Sequence, residues 1–142
     1  MSIKAVRKMK FDAGHRVVNH ESKCANAHGH EYHVEAFAES DSLDEIGRVI
    51  DFSVIKEKLG KWLDEHWDHT FLVYEKDDLL MPIKEKLTVN KPVYVCKFNP
   101  TAENMATHLL KEICPVLFKN TGVKITKIVI HETSNCYVSA EE

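Results

Sequence analysis

The stretch from Cys24 to His30, Cys-Ala-Asn-Ala-His-Gly-His, places one thiol and two imidazoles within seven residues. If the chain is extended from His28 onward, the two-residue repeat of a strand directs His28 and His30 to the same face, where both can reach one ion. A catalytic zinc ion commonly has three protein ligands and one water, so this pair requires another donor. His15, in the motif Phe-Asp-Ala-Gly-His, is the candidate third ligand of a Zn²⁺ site.

Other interpretations of these residues stay open at the level of sequence. A His-X-His pair in a strand can be two half-buried imidazoles that bind no metal. Alternatively, Cys24 can serve as a fourth ligand, and four protein ligands would close the site to a substrate. His33 is excluded as a ligand, because the alternation places it on the face opposite His28 and His30.

Length and composition predict one globular domain over residues 1–142, since 44% of the residues are hydrophobic and 29% are charged. No apolar run is long enough to cross a bilayer and no signal-like N-terminus is present, so we expect no membrane association and a cytoplasmic protein. The four cysteines lack Cys-X-X-Cys spacing, which argues against a zinc ribbon and a disulfide framework. A net charge of −3 with dispersed lysines gives no electrostatic case for nucleic acid.

Periodicity predicts the elements that position the candidate site. Residues 3–13 and 30–39 alternate between apolar and polar side chains, which indicates two antiparallel strands. Apolar residues repeat at three and four along 52–63, after the capping residue Asp51, and again from Pro100-Thr101 to Ile113, which predicts two amphipathic helices. Residues 123–138 are expected to form a final hairpin.

This order predicts an α+β domain in which two helices cover one face of an antiparallel four-stranded sheet. The charged stretch from Glu75 to Pro92 is expected to be a loop or insertion with one helical turn, and residues 93–98 can form a short strand. So small a sheet has exposed edges, which a cyclic oligomer can pair and bury.

Several motifs together resemble the 6-pyruvoyl-tetrahydropterin synthase superfamily. They are Phe11-Asp12-Ala13-Gly14-His15, Cys24-X3-His28-Gly29-His30, Asp68-His69, Pro100-Thr101-Ala102-Glu103-Asn104 and His131-Glu132-Thr133. The three-residue gap after the cysteine resembles the 6-carboxy-5,6,7,8-tetrahydropterin synthase branch, of queuosine biosynthesis, whereas pyruvoyl-forming members typically carry a longer gap. The resemblance implies a tunnelling fold, in which the subunits of a hexamer or tetramer join their sheets into a barrel with active sites at the interfaces.

The resemblance also implies a reaction, the zinc-dependent conversion of 7,8-dihydroneopterin triphosphate to 6-carboxy-5,6,7,8-tetrahydropterin with release of acetaldehyde and triphosphate. Removing a proton from carbon needs a base, and Cys24 fits because a thiolate near zinc and an imidazole can be populated at neutral pH. Asp68-His69 resembles the family's relay pair. His69 would shuttle the proton while Asp68 fixes its tautomer.

Two further residues are assigned to the substrate through the resemblance. Glu132 resembles the pterin anchor, since one carboxylate can accept two parallel N–H bonds from the 2-amino-4-oxo edge. Thr101 is expected to line the pterin pocket, whereas helix capping and the helix dipole can explain Glu103. For the triphosphate, Arg16 and Lys23 are near the site in sequence, and both are equally explained as solvated side chains.

Three alternative functions remain. A pyruvoyl-forming synthase would use the same residues with a different product. A zinc hydrolase would use the same metal to activate water, but the sequence lacks His-Glu-X-X-His. A non-catalytic pterin or zinc-binding module would keep the histidines and Glu132 without a working base, and the presence of Cys24, Asp68 and His69 argues against it.

Overall fold

The computed structural model describes residues 1–142 and is built on one sheet of six strands. The strands are β1 Ala5–His15, β2 His28–Glu39, β3 Thr70–Tyr74, β4 Tyr94–Cys96, β5 Lys124–His131 and β6 Tyr137–Glu141. Their order across the sheet is β4-β3-β1-β2-β5-β6. The neighbours β1 and β2, β2 and β5, and β5 and β6 pair antiparallel, whereas β3 pairs parallel with both β1 and β4.

The α+β class is confirmed, but the prediction of a four-stranded antiparallel sheet is wrong. The two additional strands, β3 and β4, are five and three residues long. Most of β3 is buried, so it lacks the alternation that revealed β1 and β2. The short strand expected within residues 93–98 does form, as β4, and it pairs parallel to β3.

Two helices pack on one face of the sheet. Helix α1 comprises consecutive segments over Phe52–Ile55, Lys56–Gly60 and Lys61–His66, and helix α2 comprises Ala102–His108, Leu109–Ile113 and Cys114–Leu117. The middle segment of each has the wider π-type hydrogen bonding. Each helix begins at a polar cap, because the side chains of Asp51 and Thr101 accept hydrogen bonds from the backbone N–H groups of Ser53 and Asn104.

The core lies between the helices and the strand faces that alternate toward them. Its largest fully buried side chains are Trp67, Tyr32, Phe11, Ile55, Leu59, Leu63, Leu72, Met105, Leu109, Ile128, Ile130 and His15. Thus the strand face that carries the core also carries a histidine. His33 is exposed on the other face, as predicted.

The stretch from Glu75 to Pro92 connects β3 to β4. It contains 3-10 helical structure over Met81–Lys86 that is interrupted by a kink at Ile83, where a single helical turn was expected. Two of its side chains, Asp77 and Leu80, are buried. No helix is both long and apolar enough to cross a membrane.

Candidate metal centre and surrounding site

The pairing of β1 with β2 brings three histidines together. His15 lies directly opposite His28, and His30 lies opposite Ala13, one step along the same face. The ring centroids are 4.6 to 5.3 Å apart, and one potential ligand atom from each residue lies within 4.8 Å of the others. His15 is fully buried, while His28 and His30 are partly exposed. We call these three residues the histidine triad.

Backbone carbonyls fix the tautomers of two triad members. His15 Nδ1 lies 2.6 Å from the carbonyl oxygen of Pro100, and His28 Nδ1 lies 2.7 Å from that of Asn26. Because a carbonyl only accepts, each Nδ1 carries the hydrogen, and each neutral ring has its lone pair at Nε2. Metal-binding histidines are commonly held in this way by an acceptor on the second ring nitrogen.

The lone pairs then face one another. The Nε2 atoms of His15 and His28 are 3.1 Å apart, a separation at which two lone pairs repel unless a cation lies between them. His30 Nε2 is buried without a hydrogen-bond partner. Burial lowers the pKa of His15 to about 4 and also lowers the pKa of His30, which disfavours a proton as that cation. The Nε2 atoms of His15 and His28 and the unpartnered Nε2 of His30 therefore form a donor set that fits a zinc ion.

Tyr32 lies at the bottom of the site, beneath the histidine triad, and was not predicted to be there. It is fully buried two residues after His30, on the same face of β2, and its hydroxyl oxygen lies 3.3 Å from His15 Nε2 and 3.4 Å from Nδ1. Burial, together with the nearby charges of Glu132 and Cys24, raises the pKa of Tyr32, so the phenol keeps its proton. Tyr32 continues the two-residue spacing of His28 and His30, but the sequence alone does not distinguish it from an ordinary core residue.

Cys24 lies near the histidine triad but outside it. It occupies a 3-10 turn over Lys23–Ala25 and is a free, partly exposed thiol. Its carbonyl accepts a hydrogen bond from Val17 N–H at 2.8 Å. The group of potential ligand atoms contains the three histidines and not Cys24. This arrangement favours an open metal centre over the closed four-ligand alternative.

Asp68 and His69 form the hydrogen-bonded pair that the sequence suggested. His69 Nδ1 donates to Asp68 Oδ2 at 2.8 Å, and Asp68 Oδ1 accepts from Asp12 N–H at 2.9 Å. The hydrogen bond and charge of Asp68 raise the pKa of His69. Burial alone would raise the pKa of Asp68, but hydrogen bonds from Asp12 N–H and His69 bring it below its ordinary value.

The structure does not bring this pair within ligand distance of the histidine triad. Asp12, Asp68 and His69 form a separate group, and Asp12 lies on the face of β1 opposite His15. A cavity of about 480 Å³ that borders β3, β1 and β2 is nevertheless lined by His69 and by His28 and His30. Within one chain, then, the pair and the triad border the same open cavity.

The two residues assigned to the substrate have different surroundings. Glu132 follows the end of β5, and its Oε1 lies 3.7 Å from His30 Nε2, so it borders the triad. Thr101 Oγ1 accepts a hydrogen bond from Asn104 N–H and caps α2. The adjacent carbonyl of Pro100 holds His15, so this turn both starts the helix and orients a triad member. Contact of Thr101 with a pterin remains a prediction.

The chain matches the family described as 6-pyruvoyl tetrahydropterin synthase over residues 4–142. It is 42% identical over 136 residues to a 6-carboxy-5,6,7,8-tetrahydropterin synthase of Rickettsia conorii, covering 96% of this chain and 98% of that protein. Identity to the protein of the same name from Helicobacter pylori strain J99 is 35%, covering 94% of this chain and 70% of that protein.

Solved structures with the same fold cover the entire chain. An uncharacterized protein from Wolinella succinogenes superposes with a TM-score of 0.83 at 22% identity, over 99% of its own chain. The 6-pyruvoyl tetrahydropterin synthase of Caenorhabditis elegans superposes with a TM-score of 0.69 at 23% identity, over 96% of its chain.

Proposed function

Because the chain belongs to the 6-pyruvoyl tetrahydropterin synthase family, we propose that residues 1–142 form a single domain that makes 6-carboxy-5,6,7,8-tetrahydropterin for queuosine biosynthesis. The substrate would be 7,8-dihydroneopterin triphosphate, and acetaldehyde and triphosphate would leave. The observation that carries this proposal is the histidine triad, whose potential ligand atoms lie within 4.8 Å of one another. The names of the relatives support the carboxy-forming reaction over the pyruvoyl-forming one.

The residues of the chain divide the work between metal binding and proton transfer. Zinc held by the triad would supply Lewis acidity at a position left open for the hydroxyls of the substrate side chain. Cys24 would accept a proton from carbon as a thiolate. His69, held at Nδ1 by Asp68, presents Nε2 for moving a proton.

We further propose that the active protein is a homo-oligomer, a hexamer or tetramer, with its sites at the subunit interfaces. Two features support this. The sheet ends in the edge strands β4 and β6, whose free backbone groups can pair with another chain. The Asp68–His69 pair lies with Asp12, which faces away from the triad of its own chain. A second chain could therefore supply one part of the site.

Incubation of the purified protein with 7,8-dihydroneopterin triphosphate, followed by mass analysis of the pterin, tests the proposed function. We expect 6-carboxytetrahydropterin to form and its formation to stop after zinc is removed by a chelator. A pyruvoyl product would identify the alternative synthase activity. Recovery of unchanged substrate from zinc-loaded protein would contradict catalysis and favour the non-catalytic binding module.

Glu132→Gln tests the assignment of the pterin anchor. The change keeps the shape of the side chain but replaces a charged double acceptor by an amide, so substrate binding should weaken by about 1.5 to 3 kcal/mol. Zinc content should stay that of the wild type. Glu57→Gln, at an exposed position of α1, is the matched control.

Pterin titration and metal analysis on the same protein separate the two roles open to Glu132. Unchanged pterin affinity would remove it from the substrate site. Loss of zinc would instead assign its carboxylate to His30, from which it is only 3.7 Å away.

A further inference from the structure

We propose that Arg16 and Asp77 form a clamp that positions the turn carrying Cys24, a role that rests on the proposed function of Cys24 as the base. The Arg16–Asp77 clamp joins two segments that are far apart in sequence. Arg16 immediately follows His15 at the end of β1, and Asp77 belongs to the stretch from Glu75 to Pro92. The stretch from Glu75 to Pro92 thereby contributes to the chemistry.

Arg16 contacts both Asp77 and the turn that carries Cys24. Its Nε donates to Asp77 Oδ2 at 2.8 Å, and its Nη1 donates to the carbonyl oxygen of Ala25 at 3.0 Å. Ala25 is the residue after Cys24, and the carbonyl of Cys24 itself accepts from Val17 N–H. The two residues that follow His15 therefore both hold the Cys24 turn.

The side chain of Asp77 is in turn held by the backbone that follows it. Its Oδ1 accepts hydrogen bonds from the N–H groups of Leu79 at 2.9 Å and Leu80 at 3.0 Å. Burial alone would raise the pKa of Asp77, but the hydrogen bonds from Arg16 and these N–H groups lower it, so the carboxyl stays charged. The clamp therefore connects the Cys24 turn to a point of the long β3–β4 connection that is itself held by backbone hydrogen bonds.

Burial makes the clamp more informative than an ordinary surface ion pair. The side chain of Asp77 is 1% exposed and that of Arg16 is 11% exposed. Removing two charges from water offsets much of their attraction, so such a pair is weak evidence for a role in stability. A planar guanidinium with two partners does, however, impose one geometry on them.

The same contacts argue against Arg16 as a ligand of the triphosphate. Its Nε and Nη1 are occupied by Asp77 and Ala25, and its Nη2 lies 3.7 Å from the exposed carboxylate of Asp78. A phosphate would have to compete with two carboxylates for this side chain. The interpretation of Arg16 as a solvated residue is wrong for the same reason.

Asp77→Asn tests the clamp with little other change. Asparagine can keep Oδ1 as the acceptor for Leu79 and Leu80, but its amide then faces Arg16 Nε–H, and two donors cannot bond. We expect kcat to fall about 10-fold to 100-fold, because small displacements of a catalytic group have effects of this size. KM should change less than about threefold and zinc content should remain, since the substrate and metal contacts are untouched.

A second readout does not depend on turnover. The rate at which iodoacetamide alkylates Cys24, measured by peptide mass analysis, should rise in Asp77→Asn as the turn loosens. Cys136 is exposed and serves as the internal reference in the same digest. Asp44→Asn is the matched control, because Arg48 Nε and Asp44 Oδ2 are also 2.8 Å apart but lie on the surface.

Arg16→Lys provides an independent variant that retains the positive charge and leaves the Asp77 turn intact. A lysine cannot reproduce the fork that reaches both Asp77 and Ala25, so kcat and Cys24 alkylation should change in the same direction. Wild-type values of both in either folded variant would overturn the clamp, and Arg16→Lys decides if Asp77→Asn does not fold. If the wild type makes no carboxypterin, the proposed function fails, while the alkylation rates still decide whether the clamp positions Cys24.

Discussion

Replacing Cys24 with alanine should slow turnover by about 100-fold to 10,000-fold, the range for loss of a general base, while zinc content stays at the wild-type level. The physical reason is that the triad binds the metal, whereas Cys24 serves only as the base. The donor nitrogens of the triad converge without the cysteine, which lies on a separate turn. The measurement is paired, with zinc and kcat determined on the same folded protein.

Two companion variants sharpen this result. Cys24→Ser should behave like Cys24→Ala, because a hydroxyl is far harder to ionise near neutral pH than a thiol. Cys136→Ala removes an exposed thiol and should leave both quantities unchanged. Loss of zinc in proportion to activity in the Cys24 variants would contradict the role of Cys24 as general base. It would instead favour Cys24 as the fourth ligand of a closed zinc site.

Loss of one triad imidazole should remove most of the zinc. We expect the purified wild type to carry about one zinc per chain, and His28→Ala to lose most of it because two imidazoles rarely hold the ion alone. His15→Ala should have the same effect. It also leaves the buried Pro100 carbonyl without its partner, whereas the Asn26 carbonyl that His28→Ala frees is exposed, so His15→Ala should be the less stable of the two variants.

His33→Ala is the matched control for the triad variants. His33 lies on the same strand, but it is exposed on the opposite face and bonds only to Glu31. Its zinc content should equal that of the wild type. Circular dichroism would verify that each variant is folded before its metal is measured. If folded His15→Ala kept full zinc content, His15 would not be the third ligand.

Alternation along β1 and β2 predicted which side of each strand a residue faces, and it correctly separated His33 from His28 and His30. The register that sets His15 opposite His28 comes from the pairing of the two strands, which alternation alone does not determine. The amphipathic helices and the Asp51 cap followed from similarly local patterns. Strand β3 was missed because its buried run does not alternate, and parallel pairing across α1 is non-local.

The groups that orient the triad and the thiol could not be predicted for a different reason. The carbonyl of Pro100 is a backbone group, so its contact with His15 has no side-chain signature. Arg16 and Asp77 are far apart in sequence, and each alone resembles a surface charge. Thr101 was expected to line the pterin pocket, and the structure shows that its hydroxyl caps α2.

The ratio of acetaldehyde to triphosphate released from 7,8-dihydroneopterin triphosphate is the most direct test of the central claim, that this zinc centre and its thiol make the carboxypterin. Both candidate synthase reactions release triphosphate, but only the carboxy-forming reaction also releases acetaldehyde. We expect equimolar release by the zinc-loaded wild type and release of neither product by metal-free protein. Triphosphate release without acetaldehyde would contradict it.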